Sequence, residues 1–380
     1  MVDQAAIDRH LQTVIGLSKP GEALAVGSSY ATVNNPEWFE ERRPGQREPT
    51  RVRDRLHDRL IAEQWSGAPH VQKERKAVVL AGPPGAGKSS IRKELLGDEH
   101  DQYMMIDADN FKEALLREAM NDGTYESLKP PEIHELESKG EQFFPLELAA
   151  LVHQESSMLA NRLRKEAIAE QKNIVIDTVL SFEPAAQEIG QQLEEAGYSV
   201  EVVDVEVPLE ISQARVAKRW QESYELAIKD DKELGGRWVP SEYVRSLFDE
   251  KGQSKSEDVA QTLANDCPNV DRYRLFRTTE VDHNLAPTVS SWEKDMIRQH
   301  HQSPLIDNPQ TQKTESTQET TKITPSPTKQ RRDIQTKRDN LTATLTSLRN
   351  ARSQQQNPQQ PPQINRPHID PPNRSQHRGM

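Results

Sequence analysis

One stretch constrains this 380-residue chain more than any other: Gly82-Pro83-Pro84-Gly85-Ala86-Gly87-Lys88-Ser89, followed by Ser90. It matches G-x-x-x-x-G-K-[ST] in full and lies between the apolar run AVVLA and the helical pattern SSIRKELL. Such a loop meets phosphates with backbone N–H groups, and the helix behind it adds the positive end of its dipole. The geometry demands a strand before the loop and a helix after it. Within the loop, Lys88 is placed to reach the β- and γ-phosphates, and the Ser89 hydroxyl to take a Mg²⁺ position. ATP and Mg²⁺ are the expected cofactors, held over Gly82 to Ser90. The loop names a phosphoryl donor and is silent about the acceptor.

The surrounding pattern agrees with an α/β fold. KAVVLAG, YMMIDAD, NIVIDTVL and YSVEVVDVEV read as strands, and DRYRLF as a weaker one. Helical patterns start near Lys88, Asn110, Leu146, Pro184 and Leu209. Strands apolar on both sides, alternating with helices, predict a mostly parallel sheet covered on both faces. Ligands in such sheets bind beyond the carboxyl ends of the strands, where the motifs here fall. The segment TRVRDRLHDRLIAEQW puts Val52, Leu56, Leu60 and Ile61 on one helical face ahead of the core.

Composition divides the chain into three parts. Residues 1–50 form an unpatterned N-terminal lead-in, 51–300 a P-loop kinase-like domain, and 301–380 a tail. The tail lacks Phe, Tyr and Trp and holds 10 of the 25 prolines, so it cannot bury enough apolar surface to order itself. Disorder is the expectation there, with a marginal helix around Ile334, Leu341, Leu345 and Leu348. The tail carries +6 and the remainder −17, for a total of −11. An acidic body disfavours a nucleic-acid substrate. No apolar run approaches the roughly 18 residues of a membrane span, and the N-terminus has no signal-peptide pattern. The single cysteine, Cys267, reads as an ordinary thiol and fits a reducing, cytoplasmic setting.

The class of P-loop protein is narrowed by what is missing and what is present. There is no Asn-Lys-x-Asp for guanine and no Ser-Gly-Gly signature of ABC-type ATPases. A small-molecule kinase needs instead a base for the acceptor hydroxyl and cations on the moving phosphoryl group. Asp107 and Asp109 in MIDADNFK supply candidate carboxylates, one for the metal or its waters and one for the proton. Asp109 would also suit a helix N-cap. Downstream, a helix bears Arg215, Lys218 and Arg219 and a Gly-rich loop carries Arg237; two arginines flanking that polar segment read as a lid that delivers guanidinium groups. His134, His153 and His283 lack partners at metal spacing and read as local hydrogen-bonding residues.

In that order, GPPGAGKSS, IDADNFK, HQESSMLANRL, NIVIDTVL, VPLEISQARVAKRW and GGRWVP resemble the zeta toxin family over roughly residues 50–255. Members are P-loop kinases of toxin–antitoxin systems, and they phosphorylate the amino sugar of UDP-N-acetylglucosamine. The resemblance implies Lys88 and Ser89 as nucleotide and magnesium contacts, Asp109 as general base, and Arg219 and Arg237 on the transferred phosphate. It implies Glu155, Asp177 and Thr178 at the sugar, although IDTVLSF lacks the family's Gly-Thr pair and only Thr178 stands in its place. It further implies a nucleotide-sugar substrate and a small antitoxin protein that blocks the ATP site. The residues alone leave two alternatives open: a P-loop kinase of another hydroxyl compound, and a non-catalytic ATP-binding regulatory module.

Overall fold

The computed structural model describes residues 4–278 and 292–310. Helix α1 (Gln4–Leu17) leads through turns into a hairpin of β1 (Phe39–Arg43) and β2 (Gln46–Pro49), then α2 (Arg51–Gly67). The body begins with β3 (Lys76–Ala81), α3 (Lys88–Leu96), β4 (Met104–Asp107) and α4 (Ala108–Asp122). Two short helices, α5 (Tyr125–Leu128) and α6 (Pro131–Ser138), precede α7 (His153–Ala169), β5 (Ile174–Asp177) and α8 (Glu183–Glu195). After β6 (Ser199–Glu206) come α9 (Leu209–Ala227), α10 (Ser241–Ser246) and α11 (Lys255–Asp266). Strands β7 (Val270–Arg277), β8 (Trp292–Ile297) and β9 (Ile306–Asp307) complete the described chain.

The seven main strands run in the order β4-β5-β3-β6-β7-β8-β9. The first five are parallel to one another, while β8 and β9 add antiparallel at one edge. The alternation of side chains along β3 explains why these runs are apolar throughout. Ala77, Val79 and Ala81 enter a large core, and Val78 and Leu80 enter a smaller one on the other face. The smaller core is closed by Ile91 and Leu96 of α3 and Ile211 of α9. The larger one takes apolar residues from α1, α2, α4, α7, α8 and α11. This arrangement brings the loops after β3, β4 and β5 to one end of the sheet.

Four expectations are corrected. The N-terminal lead-in is not unpatterned: α1 buries Ile7, His10 and Val14 against the body. His10 stacks on Tyr224 at 4.7 Å and donates or accepts at both ring nitrogens with Glu141 and Glu147. Helix α2 exists, but its inward face is rotated; Val52 is 75 % exposed, whereas Arg53 and His57 are buried. Two buried basic residues cannot be read from apolar periodicity. The helix expected from Leu146 resolves into a 3₁₀ turn over Pro145–Leu148, with α7 starting at His153. Finally, the folded body continues past residue 300, because β9 pairs with β8 and the Asn308 side chain donates to Asp295 at 2.9 Å. The tail helix expected around Ile334 to Leu348 lies outside the described residues. Among the described residues, no helix is long and apolar enough to cross a membrane.

Candidate active site

The donor loop leaves β3 at Ala81 and is wedged into the fold from two sides. A Cβ at Gly82 would lie 2.1 Å from the Val205 carbonyl oxygen of β6, so only glycine fits there. On the far side, helix α9 braces the loop: Ser212 Oγ donates to the Pro84 carbonyl at 2.6 Å. Arg215 Nη1 donates to the Gly85 and Ala86 carbonyls at 3.1 and 3.3 Å. Arg215 thus serves the loop's backbone rather than a lid, which the charge pattern of α9 could not reveal. Gly87, at φ 102°, caps α3, and Lys88 and Ser89 open that helix. Lys88 Nζ donates to the Gly82 carbonyl at 2.8 Å and stands 4.0 Å from Asp177 Oδ1.

The carboxyl ends of β4 and β5 place three acids beside the loop. Asp107 is the last residue of β4, and its Oδ1 accepts the Asp109 backbone N–H at 2.8 Å. Asp107, not Asp109, is therefore the N-cap of α4. Asp109 falls in the helix's first turn, two residues beyond the strand. Burial and the charges of Asp109 and Asp177 push the Asp107 carboxyl up to about 6. Burial also raises Asp177, although Lys88 and Arg92 oppose it; Arg92 Nη1 lies 3.7 Å from Asp177 Oδ2. Asp109 behaves in the opposite way. Burial works to raise it, but Arg237, Lys112 and Arg219 prevail and hold it near 2.

Its partners are specific. Lys112 Nζ donates to Asp109 Oδ1 at 3.0 Å, and Arg237 Nη1 forms an ion pair with the same oxygen. Arg219, on α9, bears on the same group through its charge. The loop carrying Arg237 is pressed flat: a Cβ at Gly236 would meet the Trp220 carbonyl oxygen at 2.2 Å. Trp220 follows Arg219 and is itself pinned, its Nε1 donating to Glu147 at 3.2 Å. Gly236 lets the loop lie against α9 and Gly235 lets it lie against Phe144, and the two arginines are so brought to one carboxylate. Lys112 was missed as a site residue; its place three residues after Asp109 was the available signal.

Other expected residues sit elsewhere. Glu155 is fully buried and faces no crevice: Arg53 donates to both its oxygens at 2.6 and 2.9 Å, and His57 Nε2 lies 2.7 Å away. This corrects its assignment as a sugar contact. Thr178 directly follows β5; its backbone N–H donates to Leu80 and its Oγ1 accepts from Leu180. His153 borders the site, and burial with the nearby Lys112 charge depresses it to about 4, so it is neutral at pH 7. His134 groups with Glu126 and Glu137, but Lys129 already pairs with both acids at 2.9 and 3.1 Å. His283 lies outside the described residues.

For the expected Mg²⁺, the donor chemistry fits. Ser89 and Asp107 offer hard oxygen ligands, with Asp177 beside them, and Mg²⁺ favours one or two carboxylates completed by phosphates and water. Two acids raised by burial and by neighbouring carboxylate charge are what such a cation would relieve.

Comparison with known proteins gives the following. The sequence pattern of the family described as Zeta toxin matches residues 62–281. A calmodulin calcium-dependent NAD kinase of Arabidopsis thaliana is 27 % identical over 132 residues, 33 % of this chain and 22 % of that protein. The chain thus spans about a fifth of that relative's length. Among solved structures, the AvrRxo1-ORF1:-ORF2 complex with ATP has a TM-score of 0.47 at 18 % identity, covering 80 % of this chain and 86 % of that one. The PezAT toxin–antitoxin system of Streptococcus pneumoniae has a TM-score of 0.42 at 17 % identity, covering 65 % and 82 %.

Proposed function

The chain belongs to the zeta toxin family, and from that premise we propose that it is an ATP-dependent kinase acting on a sugar hydroxyl of UDP-N-acetylglucosamine. The observation that carries this reading is the meeting of Asp109 and Arg237 beside the donor loop. A pure nucleotide-binding module has no need of a carboxylate held between two cations at that place. In the proposed reaction, the acceptor oxygen attacks the γ-phosphorus and the bond from phosphorus to the β–γ bridging oxygen breaks, releasing ADP. The acceptor's proton passes to an Asp109 carboxylate oxygen. Lys88, Arg219 and Arg237 receive the charge that builds on the phosphoryl oxygens.

At rest, Arg237 and Lys112 hold Asp109 too acidic to be a good base. Movement of Arg237 from Asp109 to the phosphoryl group would supply a cation where it is needed and restore basicity where the proton leaves. Ser89 and Asp107 would hold Mg²⁺, which neutralises phosphate charge when bound. Family membership adds two elements to the proposal: a cytoplasmic toxin role and a small antitoxin protein that covers the nucleotide site.

A second acceptor is favoured by one relative and one departure. The Arabidopsis relative is named an NAD kinase, and the segment after β5 lacks the family's Gly-Thr pair. A ribose hydroxyl of a dinucleotide such as NAD is the corresponding substrate. The test is direct: full-length protein with γ-labelled ATP and Mg²⁺ is offered UDP-N-acetylglucosamine, NAD, nucleosides and an RNA end. Label on UDP-N-acetylglucosamine supports the leading reading. Label on NAD alone transfers the assignment to the second, and ATP binding without any labelled acceptor overturns both in favour of a regulatory module.

A further inference from the structure

Helix α1 precedes the donor loop by a long stretch of chain, yet its one buried polar side chain reaches the frame that carries Arg219 and Arg237. Of the three buried residues of α1, Ile7 and Val14 are apolar and only His10 is polar. The His10 ring meets Phe143 edge-on at 4.8 Å and stacks on Tyr224 at 4.7 Å. Its Nδ1 lies 2.8 Å from Glu141 Oε2, and its Nε2 lies 3.0 Å from Glu147 Oε1. A neutral imidazole donates from only one nitrogen, so a carboxylate at each nitrogen selects the imidazolium. Burial works against that charge, but Glu147 and Glu141 outweigh it and raise His10 above its ordinary value. Tyr224, the other titratable group against the ring, donates its O–H to the Gln142 carbonyl at 3.2 Å.

Glu147 passes that contact on. It is buried in the 3₁₀ turn, and each of its oxygens also accepts from a group that can only donate. Oε1 takes the Trp220 Nε1–H at 3.2 Å, and Oε2 takes the Phe144 N–H at 2.9 Å. Burial raises Glu147, and His10 is the first group that opposes it. Protonated for want of His10, the carboxyl would be a weaker acceptor and would loosen its hold on both partners. Those partners seat the loop of Arg237. Gly236 is pressed on the Trp220 carbonyl, and a Cβ at Gly235 would lie 2.3 Å from Phe144 Cβ. The Leu146 N–H donates to the Leu234 carbonyl at 2.8 Å, which ties the turn to the same loop.

We infer that His10 is a positioning residue for phosphoryl transfer: paired with Glu147, it fixes Trp220 and the turn at 144–148, and through them the places of Arg219 and Arg237 beside Asp109. The consequence for turnover rests on the kinase reading above, whereas the hold on the Arg237 loop does not. A guanidinium displaced by about an ångström can cost up to about 10²-fold in rate, even when the change that displaces it is remote from the chemistry.

The test uses the full-length chain as wild type, His10→Phe and His10→Gln. Phenylalanine keeps a ring against Tyr224 and offers Glu147 no donor; glutamine returns an N–H. Amide hydrogen exchange reads the Phe144 and Leu146 N–H groups, and ATP titration and transfer from ATP to UDP-N-acetylglucosamine or NAD are measured on the same samples. In His10→Phe the two amides should exchange about tenfold faster. Its kcat should fall about tenfold, with the ATP Kd within about twofold of wild type. His10→Gln should recover most of both losses. Unchanged exchange at Phe144 and Leu146 overturns the inference, as does an acceleration spread equally over β3, β5 and β6, which marks a plain loss of stability. So does His10→Gln behaving as His10→Phe, or an ATP Kd that weakens as much as kcat falls. If His10→Phe does not fold, Glu141→Gln replaces it, because the Glu141 side chain is 35 % exposed and its loss takes one carboxylate from the imidazolium. Wild-type exchange and kcat in that variant overturn the inference. If the wild type phosphorylates neither acceptor, the kinase reading falls, and the exchange result alone decides whether His10 holds the loop.

Discussion

Glu155 and Asp109 are two carboxylates with nearly the same partners and opposite uses. Each is met by an arginine and a second basic side chain, and in each these partners overcome burial to hold the group at about 2. Glu155 has both oxygens bonded to Arg53, is closed in by His57, and is wholly buried; the Arg53 guanidinium is stacked 4.4 Å above the Trp38 ring. Asp109 keeps 40 % of its side chain exposed, and Lys112 and Arg237 share one oxygen. The first pair is a two-pronged clasp between α2 and α7 that nothing can enter. In the proposed reaction, the second would be opened by a substrate that offers Arg237 a better anion. Similar pair chemistry thus yields an anchor where water and ligand are shut out, and, on the proposed mechanism, a releasable latch where they are not.

The contrast is most exposed to failure at Arg237. Arg237→Ala should lower turnover by about 10³-fold while ATP affinity changes far less, because a guanidinium aimed at the moving phosphoryl group acts chiefly in the transition state. Steady-state kinetics beside nucleotide titration would decide it, and equal losses in both would make Arg237 a plain substrate anchor. Glu155→Ala comes next. It strands the buried Arg53 and should cost about 3–5 kcal/mol of stability by denaturant unfolding; a loss under about 1 kcal/mol would deny the anchor role. Asp109→Asn completes the opposition: turnover should fall by roughly 10²-fold, while stability moves by no more than about 1 kcal/mol at so exposed a pair.

A pH series sharpens the same comparison. The folded value of Glu155 lies below its ordinary 4.5, at about 2. Its contribution is therefore complete above about 4.5 and is lost as pH falls toward 2, amounting to about 3 kcal/mol. Unfolding free energies at pH 5, 4 and 3 should decline in the wild type, and decline less in Glu155→Gln. The smallest effect concerns the chain's end. Ending it at Gln310 should leave Tm within about 1 °C, whereas ending it at His300 removes β9 and the Asn308 bond to Asp295, and should lower Tm measurably.

Most of the parallel sheet was legible in the chain because the strands are apolar on both faces and short enough to be distinct from helices. The P-loop was legible for a different reason: its chemistry is local, and glycines, lysine and serine at fixed spacing need no distant partner to be recognised. The antiparallel edge, α1 and the β1–β2 hairpin were not legible. Their burial depends on surfaces supplied elsewhere, as when His10 finds Glu141 and Glu147 more than a hundred residues away.

The sequence by itself determined the fold class, the donor loop and the kinds of side chain available for phosphoryl transfer. Those follow from periodicity and from contiguous residues, whose spacing the backbone converts directly into geometry. Only the tertiary structure decided which charges are free to act. It buried Glu155 under Arg53 and His57, set Asp107 rather than Asp109 at the helix cap, and turned Arg215 onto the loop's carbonyls. It also brought Lys112 and Arg237 to one carboxylate. A charged residue reads the same along the chain whether it ends in water, in a core or in a crevice, because its partner and its desolvation are set by elements far away in sequence.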